Sequence, residues 1–200
     1  MPVPYIVSAT NVFDGDDGAW STFAIRAGTP SQSFRVLPNI VGEEIWLPVT
    51  EGCVGILSDL PDCGNLRGVN DFDGEPSRGF QRNSSSSWQV GGIYQLNTQQ
   101  NLFNGPTDQG YYGQDTVALG TPASTSGFGA EVSGQIVAGI ATEDYWLGSI
   151  GLGTFTSPNN APSLLVSMKE HNLTTSLSYG YTAGQSYGET LHSLRGAINL

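Results

Sequence analysis

What most constrains this chain is its punctuation. Apolar or alternating runs are repeatedly cut short by clusters of Gly, Pro, Asn, Asp, Ser and Thr: "DGDDG" at 14–18, "GTPSQ" at 28–32, "NGPTDQG" at 104–110 and "GTPASTSGFG" at 120–129. Such clusters supply the backbone conformations that turns require, so the runs between them read as strands. They fall at 4–10, 21–27, 33–37, 44–48, 87–96, 110–119, 131–141 and 177–181, and more weakly at 190–200. Only 162–171 reads as helix. Pro162 suits a first turn, and Leu164, Leu165 and Met168 share one face. Many strands, one or two short helices and no β-α-β alternation predict an all-β barrel or sandwich. Residues 64–87 read as loop throughout. No repeat or linker divides the 200 residues, enough for one domain with a real core.

Charge narrows the partners. With 18 acidic residues against 7 basic ones, the formal net charge is −11. A phosphate backbone would be repelled, and no Lys/Arg stripe counters that, so nucleic acid is not an expected partner. An acid-rich, lysine-poor composition suits secretion into acidic surroundings and plain solubility equally. No stretch reaches the ~20 apolar residues that a membrane-crossing helix needs. Cys53 and Cys63 are the only cysteines and flank a loop containing Gly, Pro and Asp. A metal site would need further ligands, and His171 and His192 lie far off in sequence. A disulfide is therefore expected, worth ~2.5–3 kcal/mol by loop closure, and it implies a compartment outside the cytosol. Glycosylation sequons at Asn83 (Asn-Ser-Ser) and Asn172 (Asn-Leu-Thr) agree with secretion. With no leader before it, Met1 reads as the start of a mature form. No metal and no cofactor are expected.

Three short motifs dissolve on inspection. "GQSYG" at 184–188 matches G-x-S-x-G, but Glu189 and His192 follow almost at once and no parallel sheet is expected, so it reads as a glycine-rich turn. "DGDDG" resembles a calcium loop, yet Gly18 and Ile25 occupy two ligand positions; it reads as a surface hairpin turn. "GSIGLG" at 148–153 lacks the helix and Lys-Ser/Thr of a phosphate loop, and close backbone packing explains its glycines better. Tyr94, Tyr111, Tyr112, Tyr145, Tyr179, Tyr181 and Tyr187 could line a cleft, although strand tyrosines more often pack with the hydroxyl in water.

The segment "WSTFAIRAGTPSQSFRVLPNIVGEEIWLP" at 20–48 resembles the first catalytic region of pepsin-like aspartic peptidases. In that family a G-T-P-x-Q turn leads to a strand, then Asp-Thr-Gly-Ser, then a Leu-Trp-Val strand. Here Gly28-Thr29-Pro30 and Gln32 match the turn, and Ile45-Trp46-Leu47 the exit. Cys53 and Cys63 match the loop disulfide, and "NSSSSWQ" at 83–89 the family's Ser-Ser-Thr-Trp stretch. "GYYGQDTVALG" at 110–120 is similar to the strand after the flap. "GSIGLG" followed by "PSLLVSMKEHNL" is similar to the family's glycine-rich strand and next helix. "DGDDGAWSTF", "TEDYW" and "SYGYTAG" look most like fungal secreted or membrane-anchored members.

The resemblance implies a single N-terminal lobe, a pepsin-like barrel of the double-psi type, over 1–200 with no second lobe. Aligning on Trp46 puts Asn39 where the catalytic aspartate stands, then Ile40, Val41 and Gly42 where Thr-Gly-Ser stand. The family cleaves peptides with two aspartates that share a proton and activate a water. An asparagine can hold a water but cannot take its proton. Glu43 and Glu44 are expected to point elsewhere. The expectation is a pseudo-protease, with Asn39, Gly42, Tyr94, Tyr111 and Tyr112 as binding residues, acting as an extracellular recognition or sensor module. Two alternatives stand beside it: a secreted inhibitor of glycoside hydrolases, contacting through the loop 96–112, and one lobe of an aspartic endopeptidase active at acidic pH. Expected partners are a peptide, a protein or a polysaccharide hydrolase, with self-association possible through the open lobe face.

Overall fold

The structure is a computed structural model, described over residues 5–18, 20–96, 109–120, 130–154, 159–182 and 197–199. The described chain is mostly β-sheet, as the turn spacing predicts. In order come β1 (Ile6–Asp14), β2 (Trp20–Ala27), β3 (Gln32–Asn39), β4 (Ile45–Pro48), α1 (Cys63–Leu66), β5 (Gln89–Gln95), β6 (Gln109–Leu119), β7 (Glu131–Ile140), β8 (Gly148–Gly151), α2 (Leu164–Glu170), β9 (Gly180–Thr182) and β10 (Ala197–Asn199).

Six strands form a closed hydrogen-bonded circuit, β2-β3-β8-β4-β7-β6 and back to β2. β6 makes closure possible through its length. One edge pairs with β7 over most of the strand, while the other carries β5 along its first half and β2 at Val117–Leu119. Closure leaves no unpaired edge within the circuit. The β3–β4 segment departs from a simple hairpin. Instead of pairing with each other, β3 runs parallel to β8 and β4 runs antiparallel to it. The connection at 40–44 therefore spans the width of a third strand.

Alternation places Phe23, Ile25 and Ala27 of β2, Phe34 and Val36 of β3, Ile45 and Leu47 of β4, and Val117 and Leu119 of β6 in one buried cluster. A smaller cluster on the other side of the sheet holds Trp46, Leu96, Tyr112, Ala138 and Ile140. β4 is buried on both faces, as a strand sheathed on either side must be. Glycine makes β8 possible. A Cβ on Gly151 would stand 2.3 Å from the Glu43 carbonyl carbon, and one on Gly148 2.6 Å from the Trp46 carbonyl oxygen. The close-packing reading of "GSIGLG" holds.

α2 starts later than the sequence suggests. Ser163 is its N-cap, its Oγ accepting from the Val166 N–H at 3.3 Å, so Pro162 lies before the helix and not in its first turn. The strand expected at 87–96 begins at Gln89, and of 177–181 only the end belongs to a strand, β9. Residues 64–87 hold α1 and one 3-10 turn at Arg82–Ser84 within otherwise irregular backbone. Cys53 and Cys63 are bonded, with Cα atoms 5.7 Å apart. Among the described residues no helix is long and apolar enough to cross a membrane.

Buried polar groups tie the layers together. Asp14 ends β1 and faces inward, correcting the expectation that all of "DGDDG" is surface turn. Its Oδ1 accepts from Arg35 Nη2 at 2.9 Å and its Oδ2 from Arg35 Nε at 2.9 Å and Thr22 Oγ1 at 2.7 Å. Arg67, fully buried, donates to the carbonyls of Trp146, Thr142 and Tyr145 at 2.8–3.1 Å and fixes the loop before β8. Asp115 Oδ1 accepts from Ser85 Oγ at 3.1 Å, Ser87 Oγ at 2.5 Å and the Thr116 N–H at 2.8 Å. The serine run thus anchors β6 against the 28–32 turn, where Ser85 Oγ also accepts from the Thr29 N–H at 2.9 Å.

Candidate functional site

The candidate site begins where β3 ends. Asn39 leaves the strand and its side chain folds back over the loop: Oδ1 accepts from the N–H groups of Val41 at 3.1 Å and Gly42 at 2.8 Å. A Cβ on Gly42 would stand 2.4 Å from Asn39 Nδ2, so a side chain there would push the Asn39 carboxamide out of this closure. The returning chain is clamped onto β8 and the segment after it. Leu152 N–H donates to the Asn39 carbonyl at 2.8 Å, Gly153 N–H to Gly42 at 2.9 Å and Gly151 N–H to Glu44 at 3.0 Å. Only the apolar pair Ile40 and Val41 projects, 61% and 49% exposed.

Glu43 and Glu44 turn into the protein, at 1% and 4% exposure. Glu44 organises the ground beneath the loop. Its Oε2 accepts from Tyr112 Oη at 2.6 Å and Trp46 Nε1 at 3.1 Å, and its Oε1 from Asn159 Nδ2 at 3.2 Å. Asn159 Nδ2 also reaches the Gln95 carbonyl at 2.9 Å and Tyr112 Oη at 3.0 Å. Trp46 and Tyr145 meet edge to face, as do Tyr94 and Tyr112. One carboxylate thus links β4, the β5–β6 hairpin and the segment before α2. The sequence reading missed Glu44. The available signal was its i, i+2 spacing to Trp46, which puts both side chains on one face of an extended chain.

Of the five expected binding residues, Asn39 and Gly42 bracket the loop tip, and Tyr94 meets the ring of Tyr112, whose hydroxyl reaches Glu44. Tyr112 is 4% exposed with its hydroxyl bonded inside the protein, which corrects the picture of hydroxyls in water for that residue. Tyr111, one residue earlier, faces the other way and packs against the main core. The Arg82 guanidinium lies over its ring, 4.2 Å from the centroid. Asn83 and Asn172 are both exposed, the second in left-handed backbone just after α2. Residues 184–188, Glu189, His192 and, of the loop 96–112, all of 97–108 lie outside the described residues.

A groove of about 790 Å³ opens elsewhere, between the disulfide loop and residues 76–84, lined by Thr50, Glu51, Val54, Arg78, Phe80 and Arg82 among others. Among the described residues no group of three or more His, Cys, Asp or Glu side chains is arranged to hold a metal ion.

Chemically, the loop tip offers an amide whose oxygen already serves two backbone donors and an apolar pair facing solvent. It can contribute contacts and hydrogen bonds but no proton acceptor. No known protein-family model matches the chain, and no curated protein matches it in sequence.

Proposed function

We propose that the chain is a pepsin-like aspartic-peptidase lobe of the double-psi type that lacks catalytic capacity and acts as a recognition or sensor module outside the cell. Asn39 is the observation that carries this reading. It tips the loop that straddles β8, at the position where the resembling family carries its aspartate, and its carboxamide oxygen is spent on closing the loop. Loss of a general base costs ~10²–10⁴ in rate. Neither neighbouring carboxylate offers a substitute, since Glu43 and Glu44 are buried and Glu44 accepts from three donors.

The scaffold supports the same reading. A closed circuit with two strands flanking β8, a close-packed glycine strand, a serine run serving Asp115 and the 53–63 disulfide all agree with such a lobe. The loop keeps its shape because the barrel is built on it, so it persists without the acid. The disulfide and the exposed sequon residues Asn83 and Asn172, which would carry glycans, favour an extracellular setting.

The test is cleavage of a broad peptide library from about pH 3 to 6, the range in which paired carboxylates titrate, with and without pepstatin, for the wild type and Asn39→Ala. We expect no cleavage by either protein. Pepstatin-sensitive cleavage by the wild type that disappears in Asn39→Ala would overturn the proposal.

A further inference from the structure

We infer that the groove between the disulfide loop and residues 76–84 is a binding site for an acidic peptide, with Arg78 as its anchor. The groove lies apart from the β3–β4 tip, and the inference holds whether or not that tip binds anything.

Charge is the first argument. The chain carries a net −11, and its few cations are mostly engaged. Arg35 is paired with Asp14, Arg67 is spent on backbone carbonyls, Arg26 donates to the Gly120 carbonyl and Lys169 to that of Thr175. Arg78 is exposed and makes no hydrogen bond or ion pair among the described residues. It lines the groove together with Arg82. Two guanidinium groups against the one carboxylate of Glu51 make this a cationic spot on an anionic protein.

Pre-organisation is the second. Arg82 is held from two sides, by its ion pair with Glu51 and by the Tyr111 ring beneath it. One fork is therefore fixed and the other free, an arrangement that lets a carboxylate dock on Arg78 without first breaking a pair. The walls supply what the rest of a peptide needs: Val54, Pro76 and Phe80 as apolar contacts, and Thr50, Gln81 and Ser84 as hydrogen-bonding groups.

The probe is a fluorescein-labelled octapeptide of alternating Glu and Leu, titrated by fluorescence anisotropy at low ionic strength. Asn83 also lines the groove, so the protein is titrated in its native glycoform, and binding that appears only once Asn83→Gln has removed the sequon would overturn the inference. Arg78→Ala should weaken binding about tenfold or more, the expected loss of one charge-assisted contact. Lys169→Ala removes a cation outside the groove and should leave affinity unchanged. The same peptide with Gln for Glu should bind weakly if at all. Unchanged binding by Arg78→Ala, an equal loss in Lys169→Ala, undiminished binding of the Gln peptide, or no binding of the Glu peptide would each overturn the inference.

Discussion

The pair Asp14 and Arg35 offers the sharpest energetic test of how this barrel is held. Their side chains are 5% and 9% exposed, and two parallel N–H···O contacts join them. Arg35 also donates to Asn70 Oδ1 and the Asn65 carbonyl, both at 2.6 Å, which ties β1 and β3 to α1 and the segment after it. Asp14→Ala strands a buried guanidinium, and Arg35→Met leaves a buried carboxylate with Thr22 as its remaining side-chain donor. Each should lose about 3–5 kcal/mol, the cost of an uncompensated buried charge. In a chain of this length that corresponds to a fall in Tm of roughly 6–20 °C. Joined in one protein, the two changes leave no charge behind, so the double variant should be more stable than either single one. Urea unfolding followed by tryptophan emission gives the three free-energy differences and hence the coupling. Single losses below about 1 kcal/mol would mean that the pair behaves as an exposed one. A double loss equal to the sum of the singles would mean that the two groups do not act on each other, and either result refutes the reasoning.

Two further changes probe the other polar anchors. Tyr112→Phe removes the 2.6 Å donor to Glu44 and should lower stability by about 1.5–3 kcal/mol in urea melts; a loss near zero would show that the bond is not a structural tie. Arg67→Lys replaces a planar fork that reaches several carbonyls with a single point donor, and should lose about 2 kcal/mol or more by the same measurement. Burial also lowers the pKa of the Arg67 guanidinium, so that its titration range in the protein starts at about 10 and runs up to the ordinary arginine value. Below that range the group is protonated folded and unfolded alike. Within it the unfolded chain binds more proton, so this group's contribution to stability rises with pH. Arg67→Met should lack that rise in alkaline unfolding curves.

Strand positions were legible because turn residues fence them. Gly28 to Ser31 separates β2 from β3, and the apolar runs on either side could hardly lie elsewhere. β8 was harder, being a short strand with glycine at both ends, and little in its own composition marks it as the strand between β3 and β4. The tip was readable only as a polar break between two apolar runs: Asn39 ends β3 and Gly42 lies in the connection to β4. The ground beneath it was not. Glu44 sits in a polar-looking "GEE", and its burial depends on Tyr112 and Asn159, which only the folded barrel brings within reach. Tyr111 and Tyr112 look alike in sequence; strand parity sends one to Arg82 and the other to Glu44.

The seating of β8 between β3 and β4 has a consequence for biogenesis. As the chain leaves the ribosome, β3 and β4 emerge together, joined by only the residues 40–44, yet neither can complete its ladder until residues 148–151 have been made. Through that interval their apolar side chains lack a finished core, and one edge of each strand lacks its partner, even though β2 and β7 are already available to the other edges. Such long-range pairing is intrinsically slow and leaves nascent chains open to aggregation. Arrest of synthesis shortly before residue 148 should therefore leave a chaperone-dependent intermediate, whereas arrest well after 151 should not.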